Sequence, residues 1–115
     1  MNLDSAVFYS HDILKIIPFY TETLGFKLEK QDERFVSFIF PDGARLGIKN
    51  QTEDREIPGH QTVFITIDNI DELFTKLTAK NVEIYKELRD HPWGKEFSIL
   101  DPDKNKVLFL DRKSP

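Results

Sequence analysis

Phe8-Tyr9-Ser10-His11-Asp12-Ile13-Leu14-Lys15-Ile16-Ile17 and Ile65-Thr66-Ile67-Asp68-Asn69-Ile70-Asp71-Glu72-Leu73-Phe74 are two versions of one pattern. Each runs from an apolar strand end through a polar turn into an amphipathic helix start, with Ile13 over Ile70 at a shift of 57 residues. Further along, Pro41-Asp42 and Pro102-Asp103 each precede an apolar strand at a shift of 61. A repeat of this period indicates two copies of one supersecondary unit.

The flanking residues complete each unit. Leu3 to Tyr9 is predicted as a strand, and Asp12 as the N-cap of a helix running to Leu24 with Gly25 as its stop. Pro18 interrupts that helix. Either the segment from Ile13 is a loose turn before a helix whose first turn holds Pro18, or the helix kinks there. Strands follow at Phe26 to Lys30, Arg34 to Phe40 and, after the turn Pro41-Asp42-Gly43, Ala44 to Lys49. Asn50 to Gly59 reads as a loop. The second unit has a strand at Gln61 to Ile67, a helix capped by Asn69 or Asp71 and ending at Lys80, and Asn81 in a left-handed C-cap. Strands are then predicted at Val82 to Lys86, Lys95 to Leu100 and Lys106 to Asp111, with loops around His91-Pro92 and at Asp101 to Asn105.

The predicted fold class is therefore α+β, two tandem βαβββ modules whose curved mixed sheets surround a cleft. The first module covers about 1–50, the loop 51–60 and the second module about 61–115, in one domain spanning 1–115. One helix and a short sheet leave an apolar face uncovered, so the halves must pack on each other or on another chain.

Composition narrows the function. Ten Phe, three Tyr and one Trp are many for so short a chain, which points to aromatics in a cleft or an interface. Sixteen basic and twenty acidic residues, a net charge of −4, argue against nucleic acid and accommodate a cationic small molecule. The chain has no cysteine, hence no disulfide or thiolate chemistry. No run of ~18 apolar residues and no signal-like start is present, so a soluble, cytoplasmic protein without membrane partners is expected.

The words Pro18-Phe19-Tyr20, Leu24-Gly25-Phe26, Ile70-Asp71-Glu72-Leu73 and Asp101-Pro102-Asp103-Lys104-Asn105 stand in an order and spacing that resembles the vicinal-oxygen-chelate superfamily. That superfamily contains glyoxalase I, extradiol dioxygenases and the fosfomycin- and bleomycin-resistance proteins. Leu3 to Val7 and Pro92-Trp93-Gly94-Lys95-Glu96-Phe97 resemble the bleomycin-resistance branch most. The resemblance covers nearly the whole chain.

In the superfamily's enzymes a divalent metal is held by His, Glu or Gln from the first and fourth strands of each half. The resemblance places those positions at Ser5, Gly47, Thr62 and Leu108. None is a credible ligand: Gly and Leu have no donor side chain, and neutral hydroxyls are weak beside imidazole or carboxylate. His60, two residues before Thr62, is the one alternative donor for that face, although a loop histidine at the strand's entry is the plainer reading. His11 and His91 show no ligand spacing. No metal or other cofactor is expected.

Without a metal, the resemblance to the antibiotic-binding relatives implies aromatic platforms at Phe35, Phe64 and Trp93, with Glu29 and Asp32 as carboxylates for a cationic tail. Each has a plainer role: Phe35 and Phe64 as core residues, Trp93 as a dimer-interface residue. Two departures are visible. Phe8 replaces the relatives' first-strand proline, and Lys30 stands where they carry an aromatic residue. Three readings follow. The first is a metal-independent, homodimeric binder of a cationic, aromatic small molecule, in its sharpest form sequestering a bleomycin-like antibiotic and so conferring resistance. The second is a metal-dependent lyase, isomerase or dioxygenase with a rearranged site, against which the four empty ligand positions argue. The third is a protein-interaction or regulatory module.

Overall fold

In the computed structural model, which describes residues 1–113, each half of the repeat becomes a four-stranded mixed sheet backed by a helix. The last two positions of the second module lie outside the described residues. The first sheet is formed by β1 (Ala6–Ser10), β2 (Lys27–Gln31), β3 (Phe35–Ile39) and β4 (Arg45–Asn50), in the order β1-β4-β3-β2. The second has β5 (Thr62–Thr66), β6 (Ile84–His91), β7 (Gly94–Leu100) and β8 (Lys106–Arg112), in the order β5-β8-β7-β6. The first and fourth strands of each half pair parallel and the remainder antiparallel, with Val7 opposite Gly47 and Phe64 opposite Leu108. The two halves are thus the expected βαβββ modules, and neither sheet closes.

Strand periodicity decides which side chains go inside. Phe8, Val36, Phe38, Leu46 and Ile48 of the first sheet and Phe97, Ile99, Val107 and Phe109 of the second are buried in one continuous core. Helix α1 (Ile13–Pro18) adds Ile13 and Ile16, and α2 (Ile70–Ala79) adds Ile70 and Leu77. Side chains of this size contribute roughly 1.5–3 kcal/mol each when taken out of water. The opposite faces carry Phe35, Ser37 and Gly47 in the first half and Glu96, Ser98 and Leu108 in the second.

Pro18 acts as its chemistry requires. It closes α1, and the chain continues directly as a π-helical turn, Phe19–Thr23, in which the Leu24 N–H reaches the Phe19 carbonyl at 3.0 Å. A proline offers no N–H to the preceding turn, so the ladder changes register rather than continuing. Helix α2 begins after Asn69, whose side chain donates to Glu72 Oε2 at 2.6 Å instead of capping. The Ile70 N–H is taken by Asp111 Oδ2 from β8, a cap supplied by tertiary structure. Asn81 holds the left-handed conformation, φ 60°. The first strand starts at Ala6, later than expected, and β6 runs on to His91, so Pro92-Trp93 is a tight hairpin turn rather than a loop.

A buried polar network joins the halves. The Tyr20 hydroxyl donates to Asp101 Oδ2 and the Ser10 hydroxyl to Asp103 Oδ2, both at 2.6 Å, while Asn105 Nδ2 donates to the Tyr9 carbonyl at 2.8 Å. Burial pushes the Asp101 carboxyl above its ordinary value, opposed first by the Tyr20 hydrogen bond and then by Asn105. The connecting loop is anchored separately. Glu56 accepts from Lys49, from the Thr52 N–H and hydroxyl and from the Glu53 N–H, which holds its pKa at about 2.

Tyr20→Phe is expected to cost about 1–3 kcal/mol in urea denaturation, because it strips a partner from a buried carboxylate. Asp101's folded value is raised, so its contribution to stability is present in acid and lost as pH rises. The Tyr20→Phe deficit should accordingly be larger at neutral than at mildly acidic pH. Glu56 has the opposite sign: its contribution is present above the ordinary carboxylate range and lost as pH falls from 4.5 towards about 2. Glu56→Gln should flatten that acid limb in a pH series of denaturation midpoints.

Candidate functional site

The face of each sheet turned away from the core carries the positions singled out by the resemblance. Ser5 directly precedes β1 and lies diagonal to Gly47 on β4; Thr62 on β5 lies diagonal to Leu108 on β8. Within each half the two positions share a face, as the repeat requires. They do not share one cavity in the single chain. Ser5 lines a cavity of about 220 Å³ with Glu29, Phe35, Ser37 and Arg45, whereas Leu108 lines another of about 90 Å³ with Lys86, Arg89, Glu96 and Ser98.

The donor set does not fit a divalent metal. A Cβ built on Gly47 would stand 2.5 Å from Phe35 Cζ, so a phenyl ring fills the space into which a fourth-strand ligand would project. Leu108 presents an isobutyl group at the equivalent place. Among the described residues no group of three or more His, Cys, Asp or Glu side chains could hold a metal ion. His60 is exposed before β5, and His91 is engaged by Glu96 Oε1 at 2.9 Å.

The five residues expected to hold a ligand are not brought to one place: Phe35 lines a cavity of about 540 Å³ with Asp32 and a second cavity with Glu29, while Phe64 and Trp93 lie elsewhere. Glu29 and Phe35 line the same first-half cavity. Glu29 is bound by Arg45 Nε at 2.7 Å and by the Ser37 hydroxyl at 2.9 Å, and these bonds, Arg45's first, hold its carboxyl below the usual range. Asp32 closes the β2–β3 turn by accepting from the Arg34 and Phe35 N–H groups. Phe64 is 65% exposed and lies at the seam between the halves. Trp93 stacks on His91, centroids 4.9 Å apart and planes 10° apart, with the Arg112 guanidinium 5.5 Å from the indole centroid.

Sequence reasoning missed a matched pair of contacts. Glu29 sits at an irregularity in β2 between Leu28 and Lys30, and Tyr85 at the corresponding one in β6 between Ile84 and Lys86. The ion pair of Glu29 with Arg45 thus has its counterpart in Lys106, whose Nζ lies 3.9 Å from the Tyr85 ring centroid. The shift of 61 carries Arg45 onto Lys106, so half of this was legible; the strand irregularities that align Glu29 with Tyr85 were not.

Two modules of this topology, with like faces at like positions, make a comparison with known proteins decisive. Residues 2–109 match the Glyoxalase/Bleomycin resistance protein/Dioxygenase superfamily. The chain belongs to this superfamily. No curated protein matches it in sequence. Solved structures share the superfamily fold at low identity. TnmS3, an antibiotic binding protein from Streptomyces sp. CB03234, is 20% identical over 98% of this chain and 97% of its own, with a TM-score of 0.87. The bleomycin-binding protein from Streptomyces verticillus, solved with copper(II)-bleomycin, is 22% identical over 98% and 99%, with a TM-score of 0.77. A superfamily member from Sphaerobacter thermophilus is 25% identical over 97% and 98%, with a TM-score of 0.82.

The contact of Phe35 with Gly47 is directly testable. Gly47→Ala should cost about 1–3 kcal/mol by overpacking. A double-mutant cycle with Phe35→Ala in urea should show the double variant more stable than the sum of the single losses predicts.

Proposed function

We propose that this chain is a metal-independent small-molecule-binding protein, a single cytoplasmic domain acting as a homodimer, whose ligand is a bleomycin-like antibiotic that it sequesters. The observation carrying this reading is the phenyl ring of Phe35 over Gly47. Aromatic surface stands where the superfamily's enzymes need a metal donor, and the remaining expected positions, Ser5, Thr62 and Leu108, supply no replacement.

Ligand stacking on Phe35, Phe64 and Trp93 would add ~0.5–1.5 kcal/mol per aromatic pair beyond burial, with Glu29 and Asp32 as the neighbouring carboxylates. Phe35 is near both carboxylates, whereas Phe64 and Trp93 lie apart from it in one chain. The proposed homodimer would set the first-half face of one protomer against the second-half face of its partner, bringing them to a common cleft. The antibiotic-binding descriptions of TnmS3 and the Streptomyces verticillus protein support the ligand class. Among the described residues no helix is long and apolar enough to cross a membrane, in keeping with the proposed location.

The test is a calorimetric titration of metal-free bleomycin into the purified chain, alongside elemental analysis of the same preparation. Saturable heat at about one ligand per chain with sub-micromolar Kd, and no bound metal, is the expected result; affinity of that order corresponds to about 8 kcal/mol or more. A folded protein giving no heat at high micromolar bleomycin removes the antibiotic. Near-stoichiometric Zn, Ni, Mn or Fe overturns metal independence.

A further inference from the structure

The two halves keep the same hydrogen-bond donors on their outer faces and differ in what answers them. In the first half the Glu29 carboxylate accepts from Arg45 Nε at 2.7 Å and from the Ser37 hydroxyl at 2.9 Å. Lys30, opposite Ser37 in strand register, adds a weaker attraction that also favours the charged carboxylate. The shift of 61 carries Ser37 onto Ser98 and Arg45 onto Lys106, and Lys86 stands opposite Ser98 as Lys30 stands opposite Ser37. Only the carboxylate is lost, because Tyr85 holds Glu29's place at the strand irregularity.

The loss falls on Ser98. It is 1% exposed and lines the second-half cavity of about 90 Å³ with Lys86, Arg89, Glu96 and Leu108. Its hydroxyl makes no hydrogen bond among the described residues, whereas that of Ser37 is bonded to Glu29. Buried hydroxyls are almost always paired, so one left free on a cavity wall finds its partner in what fills that cavity. Lys86 and Arg89 form no ion pair among the described residues. Of the two carboxylates in the wall, Glu96 is engaged by His91 at 2.9 Å and Glu87 is exposed.

We infer that the second-half cavity takes the carboxylate of a small-molecule ligand, in the place that Glu29 fills in the first half, with the Ser98 hydroxyl, Lys86 and Arg89 as its donors. Hydrogen bonds to an ionised acceptor are about twice as strong as neutral ones, and the first half shows that this arrangement of donors suits a carboxylate. The cavity is smaller than the ~300–1,000 Å³ of a whole-ligand site, so it holds one group of a ligand rather than all of it. The inference goes beyond the binding function proposed above: it concerns an anionic group and stands or falls without bleomycin.

Benzoate is the probe, titrated into the full-length chain by NMR beside neutral benzamide and cationic benzylamine. Saturable binding at about one benzoate per chain is expected, with a Kd of about 1 mM for so small a ligand and the two other probes about ten-fold weaker or more. Ser98→Ala should weaken benzoate about ten-fold, and Lys86→Gln with Arg89→Gln at least as much. Glu87→Gln should tighten it by removing a like charge. Tyr85→Glu, at an exposed position, restores the internal carboxylate of the first half and should abolish binding. A thermal melt without ligand supplies an independent readout: Ser98→Ala should leave the melting temperature unchanged or raised, whereas Ser37→Ala, which strips a bond from Glu29, should lower it.

A drop in melting temperature for Ser98→Ala as large as that for Ser37→Ala overturns the inference, because the hydroxyl is then satisfied within the chain. Benzylamine binding more tightly than benzoate, or benzoate affinity unmoved by both Ser98→Ala and the Lys86→Gln, Arg89→Gln pair, also overturns it. A folded chain that binds bleomycin but not benzoate overturns the carboxylate site and leaves the proposed function standing. One that binds benzoate with these dependences but not bleomycin supports the site and removes only the antibiotic.

Discussion

The carboxylate of Asp101, buried at the start of the β7–β8 turn, is the constraint on which the two halves depend. It receives the Tyr20 hydroxyl from the first half, the Asn105 side chain, and the N–H groups of Asp103 and Asn105. A buried carboxylate without donors would be untenable, and here the donors come from both modules. The turn so fixed sets Asp103 under Ser10 and the His11 N–H, and Asn105 against Tyr9 and Gly59. Each bond contributes only ~0.5–1.5 kcal/mol net, but together they tie the two halves to each other at one turn.

The halves are joined through the end of β1 and the β7–β8 turn, and a cavity lies between the start of β1 and the end of β5. The apolar core lies on one side of each sheet and the Ser5–Gly47 and Thr62–Leu108 positions on the other. A fold built from two equal modules therefore has a cavity on the outer face of each half and another at their junction.

The repeat also shows how one scaffold diverges within itself. Ser37 and Ser98 hold equivalent places, whereas Gly47 is covered by Phe35 and Leu108 lies opposite Phe64. Arg45 meets a carboxylate and Lys106 a phenol ring. Each half keeps a cation at the same register and gives it a different partner, so the faces share geometry without sharing polarity. Asp32, read from the resemblance as a ligand carboxylate, has both its hydrogen bonds directed at the turn that presents Phe35. The proximity was legible in sequence, but the turn geometry that uses the carboxylate was not.

By itself the sequence determined the fold, because strand and helix periods, turn residues and a repeat are local properties written in the order of side chains. At the positions the resemblance points to, Ser5, Gly47, Thr62 and Leu108, it puts no imidazole or carboxylate, since donor chemistry belongs to the residue type. Only the tertiary structure decided that Pro18 hands α1 over to a π-helical turn, that Asp111 caps α2, that Phe35 lies over Gly47 and that Trp93 is stacked on His91. Those outcomes depend on strand irregularities and on contacts between residues far apart in the chain, as does the seam cavity, whose walls come from both halves. No local pattern encodes such contacts, because they are settled by how two packed faces orient one another.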